Sequence, residues 1–287
     1  MPEILSRNVL LNIKNLNGSA QHYYHFLLGF LLPLASEIED LQLNDEIKSI
    51  IIRSCGPMDR HIKALNLSKI VIYDANTASG TKQIYLSNEF INIFDRHIVG
   101  YDNNWGHYNH YKIKKAAQVI RRLLTNDRAE APILEDKMAD AHSRNIVLIN
   151  RDIEPFHNSP LAEVLNSGSQ RRSIKNFSEL QQCVEAQTGN VTTHILENAT
   201  LSEQISLFSK ADVIIAQHGA SLANLIWSRP GTKVIEIAHQ LPPIAVNTFS
   251  SLAKSLDLEF RRVSQQGPHG ECDIKMVEHL LTNNWTV

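Results

Sequence analysis

The stretch ADVIIAQHGASLANLIWSRPGTKVIEI, Ala211 to Ile237, holds groups that packing alone does not call for. An apolar, β-branched run ends at Gln217 and His218. Gly219 and Ala220 then form a turn, and a helical pattern opens near Ser221. The first N–H groups of a helix have no intrahelical partner and lie at the positive end of its dipole, so such a turn suits a phosphate. His218, at the carboxyl end of its strand, can reach a diphosphate oxygen, and Asn224 falls one turn along on the side of Ser221. The spacing is neither GxGxxG nor a Walker loop, and a plain strand-to-helix turn with a hydrogen-bonded histidine stays open as the other reading.

Glu236 interrupts KVIEIA, a strand that otherwise reads as buried on both faces, where an unpaired carboxylate is costly. It either accepts the two hydroxyls of a ribose or pairs with a nearby Arg or Lys. Arg151 follows directly on the strand pattern NIVLIN, and Arg171 and Arg172 lie in SQRRSIKN. A planar, permanently charged guanidinium fork suits a diphosphate. Arg151 is the better choice, since Arg172 reads equally well as a solvated surface residue.

The elements that must position these groups alternate along the chain. Strand patterns are VLLNI, SIIIRS, KIVIYD, NIVLIN, VTTHIL, DVIIAQ, KVIEIA and EFRRVS. Helical patterns between them are AQHYYHFLLGFLLPLASEIEDL, HYKIKKAAQVIRRLLTN, NFSELQQCVEAQTG, LSEQISLFSKA, SLANLIWS and AVNTFSSLAKSLDL, with Ser178, Ser202 and Ser221 as expected caps. This rhythm predicts an α/β fold of parallel sheets flanked by helices. The polar stretch 126–144 reads as a linker between two Rossmann-like halves, 1–133 and 134–287, with a ligand cleft between them at the carboxyl ends of the strands.

Composition narrows the function. Lys and Arg number 28 against 30 Asp and Glu, for a net charge of -2, which gives no support to nucleic-acid binding or to an anionic membrane surface. The 3 cysteines are scattered, so a disulfide framework is not expected and reduced thiols are. HFLLGFLLPLA is the most apolar run, about half the ~20 residues of a membrane span, and reads as a buried helix. No signal-peptide pattern opens the chain, and a soluble cytoplasmic protein is expected.

The segment LSEQISLFSKADVIIAQHGASLANLIWSRPGTKVIEI resembles the signature of glycosyltransferase family 61, whose members include plant xylan xylosyl- and arabinosyltransferases, O-linked GlcNAc transferases of the secretory pathway and bacterial capsular polysaccharide enzymes. INRD and RRSIKNFSEL resemble its arginine-to-asparagine segment at Arg151, Arg172 and Asn176, and QHYYHFLLGFLLPL resembles its N-terminal aromatic–His motif. The resemblance implies a GT-B architecture, an acceptor-side N-terminal domain and a C-terminal domain holding a UDP-sugar, with pentose (xylose), hexose or GlcNAc transferred to a glycan hydroxyl with inversion. It assigns the donor site to Arg151, Arg172, His218, Gly219, Ala220, Ser221, Asn224 and Glu236. No cofactor and no metal are expected: the sequence has no D-x-D triplet, and Arg151, His218 and the helix N-terminus would meet the leaving-group charge.

Inverting transfer needs a base for the acceptor hydroxyl. The family motif often carries an acid four residues after its histidine; here that position is Gly29. His25 is then the base expected from the resemblance, and its ordinary titration range suits the work. His22, Glu37, Asp102 (the weaker choice) and NNWGHYNH, with Trp105 and His107, are the other candidates. The pairs His22/His25 and His107/His110 have i,i+3 spacing without a third metal ligand. The competing reading is a catalytically degenerate nucleotide-sugar or glycan-binding protein of the same fold, which Gly29 favours. A nicotinamide enzyme is disfavoured for want of a glycine fingerprint.

Overall fold

A computed structural model describes residues 7–14, 18–74, 77, 89–94, 99–100, 107–125, 144–151, 171–189, 191–283 and 285. The chain divides into two compact units, Met1–Tyr101 with Tyr108–Ala131, and Asp102–His107 with Pro132–Val287. Each is built on a parallel sheet. The expected linker lies outside the described residues except for Arg144.

In the first unit β1 (Arg7–Lys14), β2 (Ile47–Arg53), β3 (Ile70–Tyr73) and β4 (Glu89–Phe94) run in the order β3-β2-β1-β4. The apolar run becomes the crossover between β1 and β2, as α1 (Tyr23–Phe26), a π-helical turn (Leu27–Leu31) and α2 (Leu32–Leu43). Pro33 cannot donate to the carbonyl one turn back, that of Gly29, and the hydrogen-bond ladder widens just ahead of it. Phe26, Leu27, Leu31, Leu34 and Ile38 are buried along this crossover, so no apolar stripe is left for a membrane. Among the described residues no helix is long and apolar enough to cross one. A 3-10 turn (Gly56–Met58) and α3 (Asp59–Lys63) link β2 to β3, and a short pair, β5 (Val99–Gly100) and β6 (His107–Tyr108), precedes α4 (His110–Thr125). Arg122 of α4 pairs with Glu39 of α2 at 2.7 Å.

In the second unit β7 (Ile146–Asn150), β8 (Thr192–Ile195), β9 (Val213–Gln217), β10 (Lys233–Ala238) and β11 (Glu259–Ser264) form one sheet in the order β11-β10-β9-β7-β8. Its helices are α5 (Phe177–Thr188), α6 (Leu201–Lys210), α7 (Pro243–Val246), α8 (Thr248–Ser255) and α9 (Ile274–Thr282). Leu148, Ile215, Ile235 and Ile237 pack on one face with Leu180 of α5 and Val277 of α9. The alternate residues Val147, Ile214, Ala216 and Val234 point the other way and are buried as well. Burial on both faces accounts for the near-continuous apolar strands.

Each strand expected from the sequence forms, but three local details differ. The cap of α6 is Thr200, not Ser202, because Thr200 and Glu203 bond each other's backbone N–H in a capping box. Asn176, not Ser178, stands at the N-cap of α5. Ala220–Trp227 is a 3-10 helix capped by Gly219, without a side-chain bond from Ser221.

Candidate functional site

In the second unit the strand order reverses between β7 and β9: the chain moves outward from β7 to β8 on one side, then to β9, β10 and β11 on the other. Loops diverge at such a point and leave a crevice beyond the carboxyl ends of the strands. Register then fixes what lines it. Ile149 pairs with Ala216, so one-for-one continuation sets Arg151 beside His218, both just past their strands. Glu236 pairs with Ala216 on one side and Arg262 on the other. With a two-residue period His218 lies on the face of Ala216, diagonal to Glu236.

The contacts follow that register. Nδ1 of His218 lies 2.6 Å from Oε1 of Glu236, and Nε of Arg262 donates to Oε2 at 2.6 Å. Arg262 also donates to the Val246 carbonyl at 2.5 Å. Glu236 is 0% exposed, and each oxygen has a charged or chargeable partner. The ion pair left open for Glu236 in the sequence is thus present, with Arg262 as partner. The carboxylate selects the tautomer with hydrogen on Nδ1 and turns Nε2 away from the sheet. Phe249 packs edge-on against the ring at 5.2 Å.

Two arginines converge on the same turn. Arg151 donates from Nη2 to the His218 carbonyl at 2.8 Å and from Nε to Oε1 of Gln217 at 2.9 Å. Arg172 donates to the same His218 carbonyl at 3.0 Å. Two guanidinium groups sharing one acceptor repel each other. Burial first, then Arg172, hold Arg151 down to about 10, while Glu197 opposes. Arg172 is lowered by burial and by Arg171, with Glu236 acting the other way. Gly219 is dictated by this crowding: a Cβ there would stand 2.1 Å from Nη2 of Arg151.

The segment carrying Arg172 is tied down by Asn176, which the resemblance marks, and by Gln217 and Gln265, whose bonds the sequence reading did not foresee. Gln217 donates to Oε1 of Gln265 at 2.7 Å, and Gln265 donates to the carbonyls of Ser173 and Gly270. Asn176 clamps Cys272 at both ends, donating to its carbonyl and accepting from its N–H. Burial pushes the Cys272 thiol up to about 11.

Not every expected residue faces this crevice. Asn224 is 0% exposed; it donates to Gln204 at 2.8 Å and to the Ser221 carbonyl and accepts from Trp227 at 3.0 Å. Those bonds use both its amide hydrogens, so it braces the 3-10 helix from within. Ala220 is exposed and Ser221 half-buried at the start of that helix. Arg171 is exposed.

In the first unit His25 is the penultimate residue of α1, just before the π turn, which buries Gly29. Its ring lies on Gly18, where a Cβ would stand 2.4 Å from Nε2 and φ is +101°. Tyr24 packs edge-on at 5.1 Å and bonds Tyr108 through the two hydroxyls at 2.8 Å. Nearby, His61 is 1% exposed between Tyr23 and Phe26 and is held down to about 4 by burial and Arg60. His22 is half-buried at the N-cap of α1, His110 is half-buried at the start of α4, and Glu37 is exposed. Asp102, Trp105 and the side chain of His107 lie outside the described residues. Among the described residues no three His, Cys, Asp or Glu side chains gather as a metal would need.

The profile of the family Glycosyltransferase 61 matches residues 23–235. The chain belongs to glycosyltransferase family 61. The family match takes in His25, Arg151, Arg172, Asn176 and His218, and it stops before Glu236, His239, Arg262 and Gln265. A similar curated protein is the beta-1,2-xylosyltransferase RCN11 of Oryza sativa subsp. japonica, 25% identical over 136 residues, 45% of this chain and 24% of that protein. The match thus spans about a quarter of the relative's length.

Proposed function

We propose that this chain transfers a sugar from a UDP-sugar to a hydroxyl of a glycan acceptor, with inversion and without a metal. The observation that carries the reading is the meeting of Arg151, Arg172 and His218 at the strand-order reversal of a parallel sheet, inside a family of glycosyltransferases. Two guanidinium groups on one carbonyl oxygen concentrate positive charge at one place, which a diphosphate would offset. In this reading Arg151 and Arg172 hold the diphosphate bidentately, the imidazolium form of His218, with Nδ1–H on Glu236, donates from Nε2 to it, and the N–H groups of Ala220 and Ser221 complete the cradle. Glu236 acts through His218 as a positioning residue rather than on the ribose. His25 takes the proton of the acceptor hydroxyl as its oxygen attacks the anomeric carbon. The bond from that carbon to the phosphate breaks, and UDP leaves with the negative charge that the arginines meet.

The relative named a beta-1,2-xylosyltransferase makes UDP-xylose the first donor to test, ahead of UDP-GlcNAc, UDP-galactose and UDP-glucose. A second reading, a donor-binding protein without turnover, is favoured by Gly29, which the π turn buries where the family motif often carries an acid. Calorimetry with UDP decides the site: Arg151→Ala weakens binding about tenfold or more, because a hydrogen bond to a charged group contributes roughly 1.5–3 kcal/mol. Unchanged UDP affinity in both Arg151→Ala and Arg172→Ala rejects the pocket. UDP release with an acceptor present separates enzyme from binder, and His25→Ala lowers turnover while leaving UDP affinity in place.

A further inference from the structure

His239 follows directly on β10 and is used by none of the contacts above. Ile237 pairs with Gln217 and Ala238 with Ser264, so continuing the register sets His239 level with Gly219 and Gln265, at the rim of the same crevice. Its ring is half-buried, and Nδ1 is shut off from solvent with no hydrogen-bond partner among the described residues. A buried ring nitrogen left without a partner is costly, and a functional site that awaits its ligand is one of the few places where it persists. Among the described residues the charged neighbours that act on the ring are basic: Arg172, His218 and His269. Burial first, and then these three, push it below its ordinary value, so the ring is neutral near pH 7 and can donate from one nitrogen.

We propose that His239 is a further donor-site residue, its Nδ1–H directed at a diphosphate oxygen of the bound nucleotide. The proposal rests on the donor-site reading above and goes beyond it, since His239 lies outside the stretch that the family profile matches. An anion is the ligand indicated because the neighbouring groups that act on the ring are basic and Glu236, three residues back on β10, is already paired on both oxygens. A ribose hydroxyl would be as good a partner for a neutral ring but would not draw Arg172 and His218 to the same place.

Titration calorimetry with UDP and with inorganic pyrophosphate tests it, on wild type and on His239→Ala, His239→Asn and His239→Gln. The amide nitrogen of asparagine falls near the place of Nδ1, and that of glutamine near Nε2. The expected result is a loss of about tenfold for both probes in His239→Ala, with affinity restored by Asn and not by Gln, and an unchanged unfolding midpoint in all three. Unchanged affinity in His239→Ala overturns the proposal while wild-type UDP binding keeps the donor site. A loss for UDP but not pyrophosphate also overturns it, because the contact would then be to the nucleoside. Wild type that binds neither probe overturns the donor-site reading itself.

Discussion

Replacing Arg262 by methionine removes one of the two partners of a carboxylate that has 0% exposure. Methionine keeps the apolar stem of the side chain and deletes the guanidinium, whose Cζ lies 5.8 Å from the centre of the Phe260 ring. Removing one member of a buried ion pair costs about 3–5 kcal/mol, since the other charge stays behind in a dry place. The arginine is itself 29% exposed and so partly hydrated, which argues for the lower end, about 3 kcal/mol. That is a large part of a total stability of about 5–15 kcal/mol. With a urea slope near 2–3 kcal/mol per M, the midpoint falls by about 1 M. Trp227 and Trp285 are both buried in this unit, so tryptophan fluorescence follows its unfolding. Glu236→Gln alone is also costly, because the amide has one oxygen for two donors and its NH2 end then meets Arg262 or Nδ1–H of His218. The double variant Glu236→Gln/Arg262→Met removes that conflict and should cost less than the sum of the singles, with a coupling of about 1–2 kcal/mol. An unmoved midpoint in Arg262→Met, or strict additivity in the cycle, would refute the argument that the arginine holds the carboxylate and through it His218.

Gly219→Ala places a methyl on Nη2 of Arg151, the far end of a long side chain, so the arginine moves, giving up its bond to the His218 carbonyl, and the backbone stays. UDP affinity by calorimetry should fall about tenfold, as for Arg151→Ala, with an unfolding midpoint within about 1 kcal/mol of wild type. Arg151→Lys keeps the charge but not the fork that reaches Gln217 and His218 together, and should recover less than half of the binding energy lost in Arg151→Ala. His61 is depressed to about 4 from an ordinary value near 6.5, so the unfolded chain binds the extra proton first. Its contribution is whole above about pH 6.5 and lost as pH falls toward 4, at up to about 1.4 kcal/mol per unit. Urea midpoints by circular dichroism should therefore drop less steeply with acid in His61→Phe than in wild type, and parallel curves would rule this out.

The β-branched runs and the apolar spacing determined β7, β9 and β10, and with them the places of Arg151 and His218 at strand ends, because burial on both faces of a parallel sheet leaves a continuous apolar signature. The same logic marked Glu236 as a polar group needing a partner. β4 and α9 carried comparable signals, in EFINIF and in the spacing of Ile274, Val277 and Leu281, which the reading of the chain passed over. Tertiary structure alone decided which partner Glu236 has. Arg262 is 26 residues away and comes opposite it only because β11 pairs beside β10. Gln217 and Gln265 are 48 residues apart and meet for the same kind of reason. Asn224 went the other way: it does stand on the side of Ser221, as a spacing of three residues requires in a 3-10 helix, but that side is turned inward at Asn224, where its amide meets Gln204 and Trp227. Local periodicity records which side of an element is buried. It does not record which strands become neighbours, and the charge pairs of this site are contacts between neighbouring strands.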